Sequence, residues 1–176
     1  MLNIEQHLLK TLQPWRNCSA LCVAFSGGMD STVLLHALAR LAQQHHLPEL
    51  RAIYIHHGLQ EAAQTWPAHC QSICAQLQIP LVVLEVDVAA SASVEQAARV
   101  ARYAAFEQHL AQDEVLLMAQ HQDDQAETLL FRLMRGTGVA GLRGIPETRA
   151  LPRGQVLRPL LAVSHQQLLA YAQQQQ

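Results

Sequence analysis

Four short apolar runs, each followed by a longer stretch whose apolar residues recur at helical spacing, set the strongest constraint on what this chain can fold into. The runs are Ala20 to Phe25, Leu50 to His56, Leu81 to Val86 and Glu114 to Ala119. The helical patterns fall at Ser31 to Gln44, Thr65 to Leu77, Ser93 to Leu110 and Asp123 to Arg135. Parallel strands need crossovers long enough to hold a helix, and such crossovers are right-handed. The alternation therefore predicts an α/β fold, a Rossmann-like parallel sheet with helices on both faces. In such sheets the functional loops gather at the carboxyl ends of the strands. Hydroxyl and amide residues three apart, Ser93 with Gln96 and Ser164 with Gln167, mark two helix starts. From Gly136 to Gly154 glycine and proline recur without a sustained period, which predicts an extended loop.

With 176 residues, half of them hydrophobic, the chain reads as one domain with material for a sizeable core, which excludes a disordered segment. Residues 1–20 carry Glu5, His7, Lys10 and Arg16 and lack the apolar stretch of a signal peptide. No uninterrupted apolar run reaches membrane-spanning length, so a cytoplasmic protein without a membrane segment is expected. Cys18, Cys22, Cys70 and Cys74 form two Cys-x3-Cys pairs and are read as reduced, buried thiols, in preference to a metal site shared with His69. The net charge of −2 shows no footprint of a nucleic-acid binder. It conceals a local run, however: Arg132, Arg135, Arg143, Arg149, Arg153 and Arg158 stand against Glu147 alone. That segment is either a solvated surface loop or a contact for an anionic polymer.

The most informative stretch is Ala24-Phe25-Ser26-Gly27-Gly28-Met29-Asp30-Ser31-Thr32-Val33-Leu34-Leu35, a strand entering a glycine turn and then an amphipathic helix. Gly27 and Gly28 allow the backbone to present successive amides to an anion. Ser26, Ser31 and Thr32 add hydroxyls, and the helix aims its positive end at the same point. This is a phosphate cradle, but neither a Walker loop nor a G-x-G-x-x-G turn, since both spacings fail and no lysine is near. Asp30 would repel a phosphate unless a divalent cation such as Mg²⁺ lay between them; its plainer role is a capping acid beside a structural turn.

Ser-Gly-Gly-Met-Asp-Ser resembles the pyrophosphate loop of the N-type ATP pyrophosphatases, the PP-loop superfamily. Ile55-His56-His57-Gly58-Leu59, VEQAARVARYAAF from Val94, QHQDDQAET from Gln120, RGTGVAGLRGIP from Arg135, and Arg158-Pro159-Leu160-Leu161 together resemble the tRNA-Ile lysidine synthase family, in register from about Leu21 to Leu161. The resemblance implies a carbon–nitrogen ligase that uses ATP and Mg²⁺. It would adenylate the C2 oxygen of the wobble cytidine in the CAU anticodon of tRNA(Ile), and the ε-amine of free L-lysine would then displace AMP. The reading would change from AUG to AUA. Residues 1–176 would be the amino-terminal catalytic domain, with the family's helical tRNA-binding domains beyond it.

Within that resemblance, ATP falls to Ser26, Gly27, Gly28, Met29, Asp30 and Ser31, and Mg²⁺ to Asp30 and Asp124. Arg99 and Arg102 share a helix face with Glu95 and Phe106. They either neutralise charge on the phosphates or form an ordinary surface pair with Glu95. His121, Asp124 and Glu127 stand where the fourth strand gives way to a helix. The two acids, three apart, can hold Mg²⁺ or the lysine amine, and His121 can take the proton that the ammonium must lose; the plainer reading is acids stabilised by the helix dipole. Many family members have two histidines where this chain has Gln120-His121, so the role passes to His121 alone. The basic loop from Arg132 to Arg158 would then lie along the anticodon backbone. Two alternatives remain. A PP-loop tRNA thiolase shares the adenylating loop but relies on cysteine sets with other spacings than these. A non-catalytic nucleotide-binding module leaves Asp30, Asp124 and Glu127 without a purpose.

Overall fold

The computed structural model describes residues 3–56, 65–86, 94–136 and 143–175. In chain order the elements are α1 (Ile4–Thr11), a short 3₁₀ turn, β1 (Ala20–Ala24), α2 (Met29–Gln44), β2 (Glu49–His56), α3 (Trp66–Gln76) and β3 (Leu81–Glu85). There follow α4 (Val94–His109), β4 (Glu114–Leu117), α5 (Gln122–Met134), β5 (Thr148–Ala150), β6 (Gly154–Leu157) and α6 (His165–Gln174). All eight elements expected from periodicity are present, with ends shifted by at most two residues. The Ser164 capping box forms, its hydroxyl accepting from the Gln167 amide and the Gln167 side chain accepting from the Ser164 amide. Ser93 lies outside the described residues.

The six strands lie in the order β3-β2-β1-β4-β6-β5, parallel except for the β5/β6 pair. Strand order reverses between β1 and β4, which opens a crevice at their carboxyl ends, the position where sheets of this kind take ligands. The central strands are apolar on both sides, as strands covered on both faces must be. Leu21, Val23, Leu50, Ala52, Tyr54, Val115 and Leu117 pack with α1, α2, α3 and α6. Their alternates Cys22, Ile53, Ile55, Leu116 and Met118 pack under α4 against Tyr103, Phe106 and Leu110. Among the described residues no helix is long and apolar enough to cross a membrane.

The expectation of an unbroken loop from Gly136 to Gly154 is corrected. Residues 148–157 form an antiparallel hairpin whose second strand extends the sheet beside β4. The β5 strand has three exposed residues, Thr-Arg-Ala, so it carries no apolar alternation to betray it. Residues 137–142 lie outside the described residues. The hairpin also divides the basic run. Arg158 is 3% exposed and buried in the domain, so it is no RNA contact. Arg153 sits at the amino end of the sheet, its carbonyl accepting from the Asp113 amide beside β4. Arg132 donates to the Gly144 carbonyl at 3.0 Å.

Candidate nucleotide-activating cleft

At the carboxyl end of β1 the chain turns through Ser26 and Gly27 into α2. Gly27 has φ +75°, and a Cβ there would lie 2.7 Å from Cys70 Sγ and 2.9 Å from Trp66 Nε1, so both backbone strain and lack of space require glycine. Ser31, 4% exposed, braces the turn: its hydroxyl donates to the Gly28 carbonyl at 3.0 Å and accepts from the Ser26 amide at 3.2 Å. Trp66, at the start of α3, donates its indole N–H to the Ser26 carbonyl at 2.7 Å and closes the turn from the other side. Gly28 is the N-cap of α2 and has no side chain to satisfy the first-turn amides. Those amides are left for an anion.

The turn opens into a cleft of about 440 Å³. Ser26, Gly28, Asp30, Ser31, Arg99 and Arg102 line it, together with Asp124 from α5. The opposite wall is apolar, built from the end of β2 and from Phe106 and Met118. Of the residues expected from sequence, Gly27 shapes the turn from below, Met29 packs into the core, and Glu127 is exposed and outside the lining. The Glu95 side chain lies outside what is described, so its pairing with Arg99 is outside it too. Arg99 instead lies 5.5 Å from the Tyr103 ring centroid.

Asp30 stands in the first turn of α2 with its Oδ1 buried and without a partner among the described residues. Its Oδ2 is 3.6 Å from Nε2 of His121, which is 3.8 Å from Asp124 Oδ2. His121 is the N-cap of α5: its Nδ1 accepts from the Asp123 amide at 3.2 Å, while Asp124 Oδ2 accepts from the His121 amide at 2.8 Å. An imidazole accepting at Nδ1 carries its proton on Nε2 when neutral, so this ring presents a donor between two carboxylates. An orphaned carboxylate oxygen beside uncapped helix amides fits a divalent cation held between acid and phosphate.

The four cysteines are free, and Cys22, Cys70 and Cys74 are buried. Burial pushes the Cys22 thiol up to about 12 and those of Cys70 and Cys74 up to about 11, so these sulfurs stay protonated and unreactive at neutral pH. Among the described residues no group of three or more His, Cys, Asp and Glu is placed to hold a metal ion.

Periodicity did not single out Trp66 or Gln120, which line the cleft, or Arg158, which holds Gln120. Gln120 and Arg158 stand within motifs that carry the resemblance, but their pairing, like the place of Trp66, shows only in contacts between distant segments. Arg158 Nε donates to Gln120 Oε1 at 2.8 Å, Nη1 to the Pro146 carbonyl at 2.8 Å, and Nη2 to the Tyr103 hydroxyl at 3.1 Å.

Among curated proteins, the chain is 59% identical over 170 residues to tRNA(Ile)-lysidine synthase of Pseudomonas aeruginosa, covering 97% of this chain and 38% of that protein. It is 45% identical over 170 residues to the protein of the same name from Coxiella burnetii, covering 96% and 38%. The chain thus spans about two fifths of the length of these relatives. Among solved structures, the U34-tRNA thiolase NcsA from Methanococcus maripaludis with its [4Fe-4S] cluster superposes with TM-score 0.73 at 16% identity, over 97% of this chain and 62% of that one. The NH3-dependent NAD synthetase from Campylobacter jejuni does so with TM-score 0.57 at 13% identity, over 99% and 74%. At these identities the likeness is one of fold. The PP-loop domain family matches residues 1–176, the whole of the sequence and with it both the glycine turn and the acids of the cleft. This chain belongs to the PP-loop family.

Proposed function

We propose that this chain forms the ATP-activating domain of a cytoplasmic tRNA(Ile)-lysidine synthase. ATP would adenylate the C2 oxygen of the wobble cytidine in a CAU anticodon, releasing pyrophosphate. The ε-amine of L-lysine would then displace AMP, forming a carbon–nitrogen bond. The observation that carries the ATP half is the glycine turn, whose first-turn amides lack a cap and face a cleft holding an unpartnered Asp30 oxygen. The tRNA half is supported by the identity to relatives bearing that name, whose matches cover 97% and 96% of this chain.

The residues divide the work as follows. Ser26, Gly27, Gly28, Met29, Asp30 and Ser31 form the turn that takes the β- and γ-phosphates, largely through backbone amides. Asp30 and Asp124 would hold Mg²⁺, which supplies neutralisation of phosphate charge when bound. Arg99 and Arg102 line the cleft where negative charge grows on the α-phosphate as pyrophosphate leaves. The expectation that His121 takes the amine's proton is revised, because its Nδ1 lone pair is committed to capping α5 and its Nε2 carries the proton. His121 instead donates toward Asp30 and Asp124 and keeps them in place. The proton from the lysine ammonium then passes to a carboxylate, Asp124 at the cleft or Glu127 one turn further along α5. Arg135, Arg143 and Arg149, exposed at the end of α5 and before and on the hairpin, are the cations of the basic run offered to the tRNA backbone.

The thiolase reading is disfavoured by the cysteines: Cys22 in β1 and Cys70 and Cys74 in α3 are buried, Cys18 before β1 is half-buried, and burial raises all four thiols. The test is a reaction of the full enzyme with ATP, Mg²⁺, L-lysine and a CAU-anticodon tRNA, followed by mass measurement of the wobble nucleoside. A lysine adduct is expected. A sulfur-for-oxygen exchange or an unmodified cytidine in the presence of bound ATP overturns the reading.

A further inference from the structure

We propose that Gln120 is a fixed amide donor to a phosphate oxygen of the bound nucleotide, oriented for that task by the buried guanidinium of Arg158. The proposal rests on the reading of the cleft as a nucleotide site and adds a contact that the glycine turn does not provide.

A guanidinium has donors only, so the atom of Gln120 that faces Arg158 Nε at 2.8 Å must be its oxygen. That fixes which way the amide is turned. The side-chain oxygen is spent on Arg158, and the NH2 group is directed away from it. Gln120 lines the cleft together with Asp124, Asp30 and the glycine turn, and among the described residues no acceptor meets its amide nitrogen. Two donor hydrogens are therefore presented in a cleft whose other end is built to hold an anion.

Arg158 sharpens the donor in two ways. Its position is set from three sides by the Pro146 carbonyl, the Tyr103 hydroxyl and Gln120, which removes most of the freedom that an exposed amide would lose on binding. No carboxylate lies within ion-pair distance of it among the described residues, although it is 3% exposed. An uncompensated positive charge behind an amide polarises that amide, and hydrogen bonds in such a chain strengthen one another. The acceptor best matched to a polarised NH2 group over a buried cation is an anionic oxygen.

The test compares binding of ATP with Mg²⁺ and of adenosine by calorimetry, using wild type, Gln120→Glu and Gln120→Met. In Gln120→Glu a carboxylate of the same shape pairs with Arg158, so the fold is kept or strengthened, while the face toward the cleft changes from donor to anion. ATP affinity is expected to fall about 10- to 100-fold, the scale of a lost hydrogen bond to a charged group. Adenosine affinity should stay unchanged, and Gln120→Met, which only deletes the donor, should lose less. Unchanged ATP affinity in Gln120→Glu, with wild type binding normally, overturns the donor role alone. Equal losses for ATP and adenosine overturn the assignment to phosphate. Failure of wild type to bind ATP removes the nucleotide reading itself and the proposal with it.

Discussion

The two ends of the sheet hold the same kind of group in opposite states. At the amino end Glu114, 1% exposed, receives Arg51 Nε and Nη2 and the Ala111 amide, and Arg51 also donates to the His109 carbonyl at 3.0 Å. The hydrogen bond to Glu114 holds the Arg51 guanidinium above its ordinary pKa, against the opposing effect of burial. At the carboxyl end Asp30 has one oxygen buried without a partner among the described residues and the other 3.6 Å from an imidazole, and His56 Nδ1, at the end of β2, is likewise buried without a described partner. Desolvated polar groups are normally satisfied, so the contrast sorts structure from function. Where the chain supplies every partner, the acid ties strands and helix together. Where the described residues do not, the acid is left open to a partner from outside.

Removing an acid from each end should therefore produce opposite phenotypes. Glu114→Ala leaves Arg51 largely buried and unpaired; the loss, read by denaturant titration, should reach about 3–5 kcal/mol, with ATP affinity of the folded fraction unchanged. Asp30→Asn should slow pyrophosphate release from ATP by about 100-fold or more, while its melting temperature changes little, because among the described residues one carboxylate oxygen has no partner and the other meets only the His121 ring at 3.6 Å. If Asp30→Asn unfolds the protein and Glu114→Ala impairs only ATP use, the sorting is wrong.

The basic run divides in the same way. Arg149 lies 4.7 Å from the Tyr103 ring centroid on the cleft side of the hairpin, whereas Arg153 stands at the amino end with Glu114. Arg149→Ala should weaken tRNA binding and reduce the slope of log affinity against log salt by about one phosphate contact. Arg153→Ala should do neither, and equal effects in filter binding would erase the distinction.

The smallest effect concerns His36, whose ring nitrogen lies 3.1 Å from the Tyr171 hydroxyl. Burial first, and Arg40 second, lower its pKa below the usual 6.5, against the pull of Glu5. With the folded pKa depressed, the unfolded chain binds the proton more readily. The stability this neutral ring contributes is thus complete above about pH 6.5 and is lost as the pH falls through the folded pKa. Thermal melts from pH 8 to pH 5 should show this decline, and His36→Asn should flatten it.

The fold was legible where a local rule decides it. Central strands covered on both faces must be largely apolar, and that is how β1, β2 and β4 read apart from Glu49, Arg51 and Glu114 at their amino ends. Gly27 and the Ser164 box announce themselves because a left-handed turn and a helix cap each demand particular residues at fixed spacing. The β5/β6 hairpin was hidden because its edge strand is three exposed residues with no apolar period. In the site, Ser26, Gly28, Asp30 and Ser31 of the glycine turn and Asp124 of the later motif meet at one cleft, whereas Met29 packs into the core and Glu127 lies outside the lining. Arg158 was misread as a surface cation because its partners, Tyr103, Gln120 and Pro146, lie 12 to 55 residues away in sequence. His121 was rightly placed at the helix start, but which of its nitrogens is occupied depends on the cap geometry, and no spacing in the sequence shows that.

The most direct test of the cleft as a site of adenylation follows the α-phosphate. With ATP labelled at that position, Mg²⁺, a CAU-anticodon tRNA and lysine, the label should leave as AMP, matched mole for mole by pyrophosphate and slowed by about 100-fold or more in Asp30→Asn. Appearance of the label in ADP, with release of inorganic phosphate from the γ position, would mean that the cleft cleaves a different bond and would contradict the assignment.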